Sequence, residues 1–268
     1  MEAPRGLSAF EAARRAVLFG ACAAALGAVS GCNAGGGRLN NAAHPALLAA
    51  RPGEVSPRSP IPPGSHPLDV EQERDSLVHV PAALSPDEPA PLLVSLHGAG
   101  GDAVGGLSLL TPLADQYKIV ILSPASRGST WDAIRDGYGP DVDLLNRSLE
   151  EVFRSVAIDP ERIGVAGFSD GASYALGLGL ANGGLFRRLL AFSPGFIPVG
   201  PRNGKPAVFV SHGVNDTVLP IRSTSRRIIP ALEDDGYDVT YREFDGPHTV
   251  PADIVQEAAA WLDWSRPR

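Results

Sequence analysis

The stretch Gly167-Phe168-Ser169-Asp170-Gly171 sets a serine two residues from a glycine on each side, after the apolar RIGVAG and before GASYALGLGLA. A sharp strand-to-helix corner would hold such a serine in an unfavourable backbone conformation with its hydroxyl clear of the sheet, and neighbours two residues away would have to be tiny. A serine is a weak nucleophile until a base takes its proton, so the six histidines matter. His44 and His66 lie in a stretch read below as a tether. His79 falls inside a predicted strand and is expected to be structural. His97 and His212 each precede a glycine at a strand end. His248, in FDGPHTVP between the last predicted strand and the last predicted helix, sits on a loop that can reach back over Ser169 and is the expected general base. The base needs an orienting carboxylate. Asp216 in VSHGVNDTVLP is the first choice and Asp245 the second, since a pair local to His248 would not hold the ring over the serine; Asp235 and Asp238 flank a turn and read as solvated. Two backbone donors would stabilise an oxyanion, the N–H of Asp170 after the nucleophile and that of Ala99 in the glycine-rich LHGAGG. The Asp170 side chain reads as a favourable charge at a helix start.

These residues need a frame. SLVHV alternates as a strand does, and PLLVSLHG and IVILSPAS are apolar runs typical of strands buried on both faces. Further strands are predicted in RIGVAGF, RRLLAFSPG, AVFVSHG and DVTYREFDG. Between them, TPLADQYK fits the end of a helix, DVDLLNRSLEEVFRSV carries an apolar helical stripe, and helices are predicted in GASYALGLGLA, STSRRIIPALEDDG and PADIVQEAAAWLDW. Strands alternating with helices imply an α/β architecture, a mostly parallel sheet covered on both faces, with ligands at the carboxyl ends of the strands.

The ends of the chain read differently. Residues 1–31 have a basic start with Arg5, Arg14 and Arg15, then an apolar run of about 14 residues, short for a span and right for a signal-peptide core. VSGC follows; it resembles the lipobox of bacterial lipoproteins, which implies lipidation at Cys32. Residues 32–66, rich in Gly, Pro, Ser, Asn and Ala, read as a tether, HPALLAA within it suggests a short helix, and 67–268 read as the folded domain. The two cysteines, Cys22 and Cys32, would both lie outside that domain, leaving it no thiol for a disulfide, a metal or a nucleophile. A net charge of −7 without a basic run argues against a nucleic-acid partner, and the usual metal and phosphate motifs are not found, so no cofactor is expected.

Taken together, LHGAGG, GFSDGA, AFSPGF, HGVNDTVLPI and GPHTV resemble the phospholipase/carboxylesterase branch of the α/β-hydrolases over roughly Leu77–Trp264. The resemblance implies an α/β-hydrolase fold with little or no lid, and hydrolysis of carboxylic esters by Ser169, Asp216 and His248 through an acyl-enzyme. STWDA resembles a Ser-Trp segment beside the acyl site of that branch, which implies that Trp131 lines the substrate pocket. The sequence is also similar to polyhydroxyalkanoate depolymerases and feruloyl esterases, although these often carry a cysteine where Ala99 stands. Rival readings are a serine peptidase on the same fold and a non-catalytic, lipid-anchored binding protein. The lipobox resemblance implies export to a bacterial envelope membrane, the outer one preferred because Asn33 follows Cys32; the hydrolase resemblance implies ester substrates, small or lipid, as partners.

Overall fold

The computed structural model describes residues 45–53, 60–85 and 88–264. The signal segment, Cys32 and His44 lie outside them.

One eight-stranded sheet organises the described residues. In chain order its strands are β1 (Gly64–Pro67), β2 (Leu77–Val80), β3 (Ala90–Leu96), β4 (Val120–Ser123), β5 (Ile158–Phe168), β6 (Arg188–Phe192), β7 (Ala207–Gly213) and β8 (Val239–Phe244). Their spatial order is β1-β2-β4-β3-β5-β6-β7-β8. Only β2 runs against the others; it pairs antiparallel with β1 and β4, and the pairs from β4 to β8 are parallel. The helices are α1 (Ala103–Tyr117), α2 (Asp132–Arg135), α3 (Pro140–Ser155), α4 (Asp170–Ala181), α5 (Ser225–Asp234) and α6 (Ala252–Leu262).

The side-chain alternation of a strand divides the core in two. Leu92, Val94 and Leu96 of β3 and Val208 and Val210 of β7 face α3, α4 and α5. Leu93 and Phe209, from the same strands, face α1 and α6. All seven residues of β3 and of β7 are buried, which is why these strands read as unbroken apolar runs. The result is the expected α/β sheet with helices on both faces. Among the described residues, the loops above the strand ends carry one four-residue helix, α2, and no larger insertion.

Two features depart from the sequence reading. β1 occupies Gly64–Pro67, so the sheet begins inside the stretch read as a tether. Residues 45–50 also dock rather than hang free, and they are not helical. Ala46, Leu48 and Ala50 are buried, the Asn182 amide accepts from the Leu48 N–H and donates to the Ala46 carbonyl at 2.8 Å each, and Asn146 Oδ1 accepts from the N–H groups of Ala49 and Ala50. This strap lies across α3 and α4, and its cause is long-range: its polar partners sit about a hundred residues or more away in sequence.

Candidate active site

Strand order brings the candidate residues to one edge. β5 is flanked by β3 and β6, with β7 and β8 beyond. The loops leaving the carboxyl ends of β3, β5, β7 and β8 therefore meet, and they carry Ala99, Ser169, Asp216 and His248 respectively.

Ser169 sits between the end of β5 and the first residue of α4 with φ 56° and ψ −119°, a conformation that an L-residue adopts only where its surroundings impose it. The surroundings are specific. The Ser169 N–H donates to the Phe192 carbonyl on β6 at 2.9 Å. A Cβ on Gly167 would lie 2.2 Å from the Gly171 carbonyl oxygen, and one on Gly171 would lie 2.2 Å from the Leu96 carbonyl oxygen at the end of β3. Helix, elbow and strand approach so closely that only hydrogen fits at either glycine.

A continuous hydrogen-bond chain leads from this serine. The Ser169 hydroxyl donates to His248 Nε2 at 2.9 Å, and His248 Nδ1–H donates to Asp216 Oδ2 at 2.6 Å. The 2.9 Å spacing is within direct proton-transfer reach. Phe168, the residue before the serine, packs its ring 4.7 Å from the imidazole of His248. Asp216 is fully enclosed at its side chain. Burial pushes its pKa up, but the Leu219 N–H, His248 and the Val218 N–H outweigh this and hold it below the usual carboxylate value. Asp245, the second choice from sequence, instead accepts from the Asn215 amide at the surface.

A second histidine touches the same carboxylate. His212, fully buried on β7, has its Nε2 2.8 Å from the Leu219 carbonyl and 3.1 Å from Asp216 Oδ2, and its Nδ1 2.7 Å from the Ser225 hydroxyl. Burial lowers its pKa, so it is a neutral N–H donor at neutral pH. The sequence located His212 at a strand end; nothing local signalled its contact with Asp216.

The glycine-rich turn after β3 lies directly against the elbow: a Cβ on Gly98 would meet Ser169 Cβ at 3.5 Å. His97 shapes this turn. Its Nδ1–H donates to the Gly98 carbonyl and its Nε2 accepts from the Ser126 N–H, which fixes one neutral tautomer, and burial lowers its pKa. Arg74, in an exposed loop before β2, bonds the carbonyls of Ser126 and Gly101 and so braces the turn from outside. Among the hydrogen bonds of the described residues, the N–H groups of Ala99 and Asp170 have no protein acceptor, as an oxyanion site requires.

Trp131 is corrected by the structure. It was expected to line the substrate pocket, yet it has no accessible surface. Its indole N–H donates to the His97 carbonyl at 2.9 Å and its ring stacks on Tyr174. A buried indole whose one polar atom is already used supports the turn; it cannot touch a substrate. No group of three or more His, Cys, Asp or Glu among the described residues could hold a metal ion, and no described helix is long and apolar enough to cross a membrane.

This sheet order, with the serine elbow on the central strand, defines an α/β-hydrolase fold, and solved structures agree. The esterase PE8 matches with a TM-score of 0.55 and 24% identity, covering 66% of this chain and 95% of that one. A phospholipase/carboxylesterase from Dyadobacter fermentans DSM 18053 gives 0.55 and 24%, covering 70% and 95%. A truncated carbohydrate esterase from gut microbiota gives 0.62 at 15% identity, covering 79% and 99%. In sequence, NocK of Nocardia uniformis subsp. tsuyamanensis, named provisionally as an esterase, is 26% identical over 181 residues, 65% of this chain. The match spans 47% of NocK, so the chain covers about half of that curated relative's length. No protein-family model matches the chain.

Proposed function

We propose that the protein is a serine hydrolase of carboxylic esters, working through Ser169, His248 and Asp216. The observation that carries this reading is the unbroken chain from the Ser169 hydroxyl through the imidazole to a buried carboxylate, starting on an elbow with a positive φ. The esterase names among the similar proteins support the same reading.

In this mechanism Ser169 Oγ attacks the ester carbonyl carbon while its proton passes to His248 Nε2. Asp216 holds Nδ1–H and stabilises the imidazolium. The carbonyl oxygen becomes an oxyanion, held by the N–H groups of Ala99 and Asp170. The intermediate collapses as the C–O bond to the alcohol breaks and His248 returns the proton to the departing alkoxide. Water, deprotonated by His248, then attacks the acyl-enzyme; the acid leaves and Ser169 recovers its proton. Val104, Phe196, Val214 and Val218 are exposed on segments past the carboxyl ends of β3, β6 and β7, the end that carries Ser169. Attachment of the chain to a membrane through Cys32 belongs to the same proposal.

The test is hydrolysis of p-nitrophenyl esters from acetate to palmitate by a chain beginning at residue 42, which keeps the strap. Ser169→Ala should lower turnover by on the order of 10³-fold or more. A folded wild-type chain that cleaves no ester in the series would overturn the esterase reading, and cleavage of peptide or polyester in its place would identify the rival. Full-length protein that partitions into detergent, with Cys32→Ser remaining in the aqueous phase, is the expected outcome for the anchor. Identical partition of the two would remove it.

A further inference from the structure

Three consecutive residues that the proposed mechanism does not use, Ser129, Thr130 and Trp131, reach both arms of the oxyanion site. The Ser129 carbonyl accepts from the Gly100 N–H at 2.6 Å, one residue from Ala99. The Trp131 indole N–H donates to the His97 carbonyl, two residues before Ala99. Between them, the Thr130 hydroxyl donates to Asp170 Oδ2 at 2.6 Å, and Asp170 is the residue whose N–H forms the other arm. The segment itself is fixed from behind. The Asp132 N–H donates to Asp141 Oδ2 and the Arg127 N–H to Asp141 Oδ1, and Asp132 in turn accepts from the N–H groups of Gly139 and Asp141.

We propose that residues 129–131 form a clamp that sets the spacing of the two oxyanion donors, with Thr130 as the positioning residue that couples them. It rests on the esterase reading only for its effect on turnover; the clamp itself is a feature of the resting protein. No other bond among the described hydrogen bonds ties the Asp170 side chain to the rest of the site. Gly100 has φ +71°, and a Cβ added there would meet nothing within 4 Å, so side-chain packing does not fix the turn and such bonds hold its N–H groups in place.

A second consequence is electrostatic. Asp170 places a carboxylate one residue from the nucleophile, where an oxyanion would form, and two negative charges there repel. The bond from Thr130 holds that carboxylate toward the clamp. With the hydroxyl gone, the side chain is free to swing toward the donors it must leave vacant. The clamp therefore acts on the state that carries negative charge on the substrate oxygen. It acts little on the neutral bound ester, so its loss is a loss of kcat rather than a rise in KM.

The test uses Thr130→Val, which keeps the shape and removes the hydroxyl, and Thr130→Ser, which restores it. In the resting protein, amide exchange followed by NMR should speed up at Gly100 by at least tenfold in Thr130→Val and stay near wild type in Thr130→Ser. This readout does not need an active enzyme, so failure of the esterase reading leaves it intact. Where ester is turned over, Thr130→Val should lower kcat by roughly tenfold or more with KM within about twofold, and should weaken a trifluoromethyl ketone, which forms a tetrahedral adduct with the serine, by the same factor as kcat/KM. Thr130→Ser should restore both. Unchanged Gly100 exchange in Thr130→Val would overturn the proposal. So would a kcat within twofold of wild type, or a loss that Thr130→Ser shares in full.

Discussion

The elbow glycine Gly171 offers a direct test of how the site is assembled. In Gly171→Ala the new Cβ would stand 2.2 Å from the Leu96 carbonyl oxygen and 2.5 Å from that of His97. Both are backbone atoms of β3 and the turn after it, so no side chain can rotate away. Ordinary contact needs at least 3.4 Å, and α4 must therefore retreat from β3 by about 1 Å. The retreat carries Asp170 away from Ala99 and opens the proposed oxyanion site. Overpacking of this size costs about 1–3 kcal/mol of stability, while a misplacement of about 1 Å costs on the order of 10²-fold in turnover. The substitution should thus damage kcat far more than folding. The assay is kcat on a short p-nitrophenyl ester, alongside the urea midpoint of each protein. Gly184→Ala is the control: nothing lies within 4 Å of its added Cβ, and it should change neither quantity appreciably. A well-folded Gly171→Ala protein with kcat within threefold of wild type would refute the claim that contact between α4 and β3 sets the geometry of the site.

The strap and the buried histidines make further predictions. Asn182→Ala removes the acceptor of the Leu48 N–H and a donor to the Ala46 carbonyl, so it should cost about 1–3 kcal/mol in urea unfolding; a change below about 0.3 kcal/mol would mean the strap contributes nothing. His97 and His212 have pKa values lowered from 6.5, chiefly by burial. As pH falls through about 6.5 the unfolded chain takes up these protons before the folded one does. Stability is therefore full above that pH and declines below it, by up to about 1.4 kcal/mol per pH unit for each histidine. The Asp216 carboxylate, held below 3.8, loses its contribution only at much lower pH and does not overlap this window. Urea midpoints measured from pH 7.5 to 5 check the slope, and His97→Gln should remove its share; a flat profile in the wild type would contradict the burial argument.

Much of the sheet was legible because its strands are buried on both faces. β3, β4 and β7 read as apolar runs since nothing along them needs to meet water. β1 was not legible: its four residues, GSHP, alternate between exposed and half-buried and hold a glycine and a proline, the composition of a linker. It is a strand only because β2 offers it an edge. The strap failed for the same reason. HPALLAA suggested a short helix, yet the Asn182 and Asn146 amides satisfy its backbone from outside, so its conformation is set by partners that no local window contains.

The candidate site divides along the same line. Ser169, Asp216 and His248 could be selected from sequence because their chemistry demands a chain order and loop positions at strand ends, both of which a linear pattern preserves. What holds them could not be. Trp131 was read as lining the substrate pocket, because only the fold shows that it is buried and that its single N–H is spent on the His97 carbonyl. Thr130 and His212 carried no signal: the Thr130 hydroxyl acquires meaning only when α4 sets the Asp170 carboxylate beside it, and the His212 imidazole only when the turn after β7 folds Asp216 back onto it. The proposed reacting groups are thus constrained by type and order, and the supporting groups by their place in the fold. Substitutions at Thr130 or Trp131 therefore test the folded arrangement, and substitution at Ser169 tests the chemistry that the sequence announced.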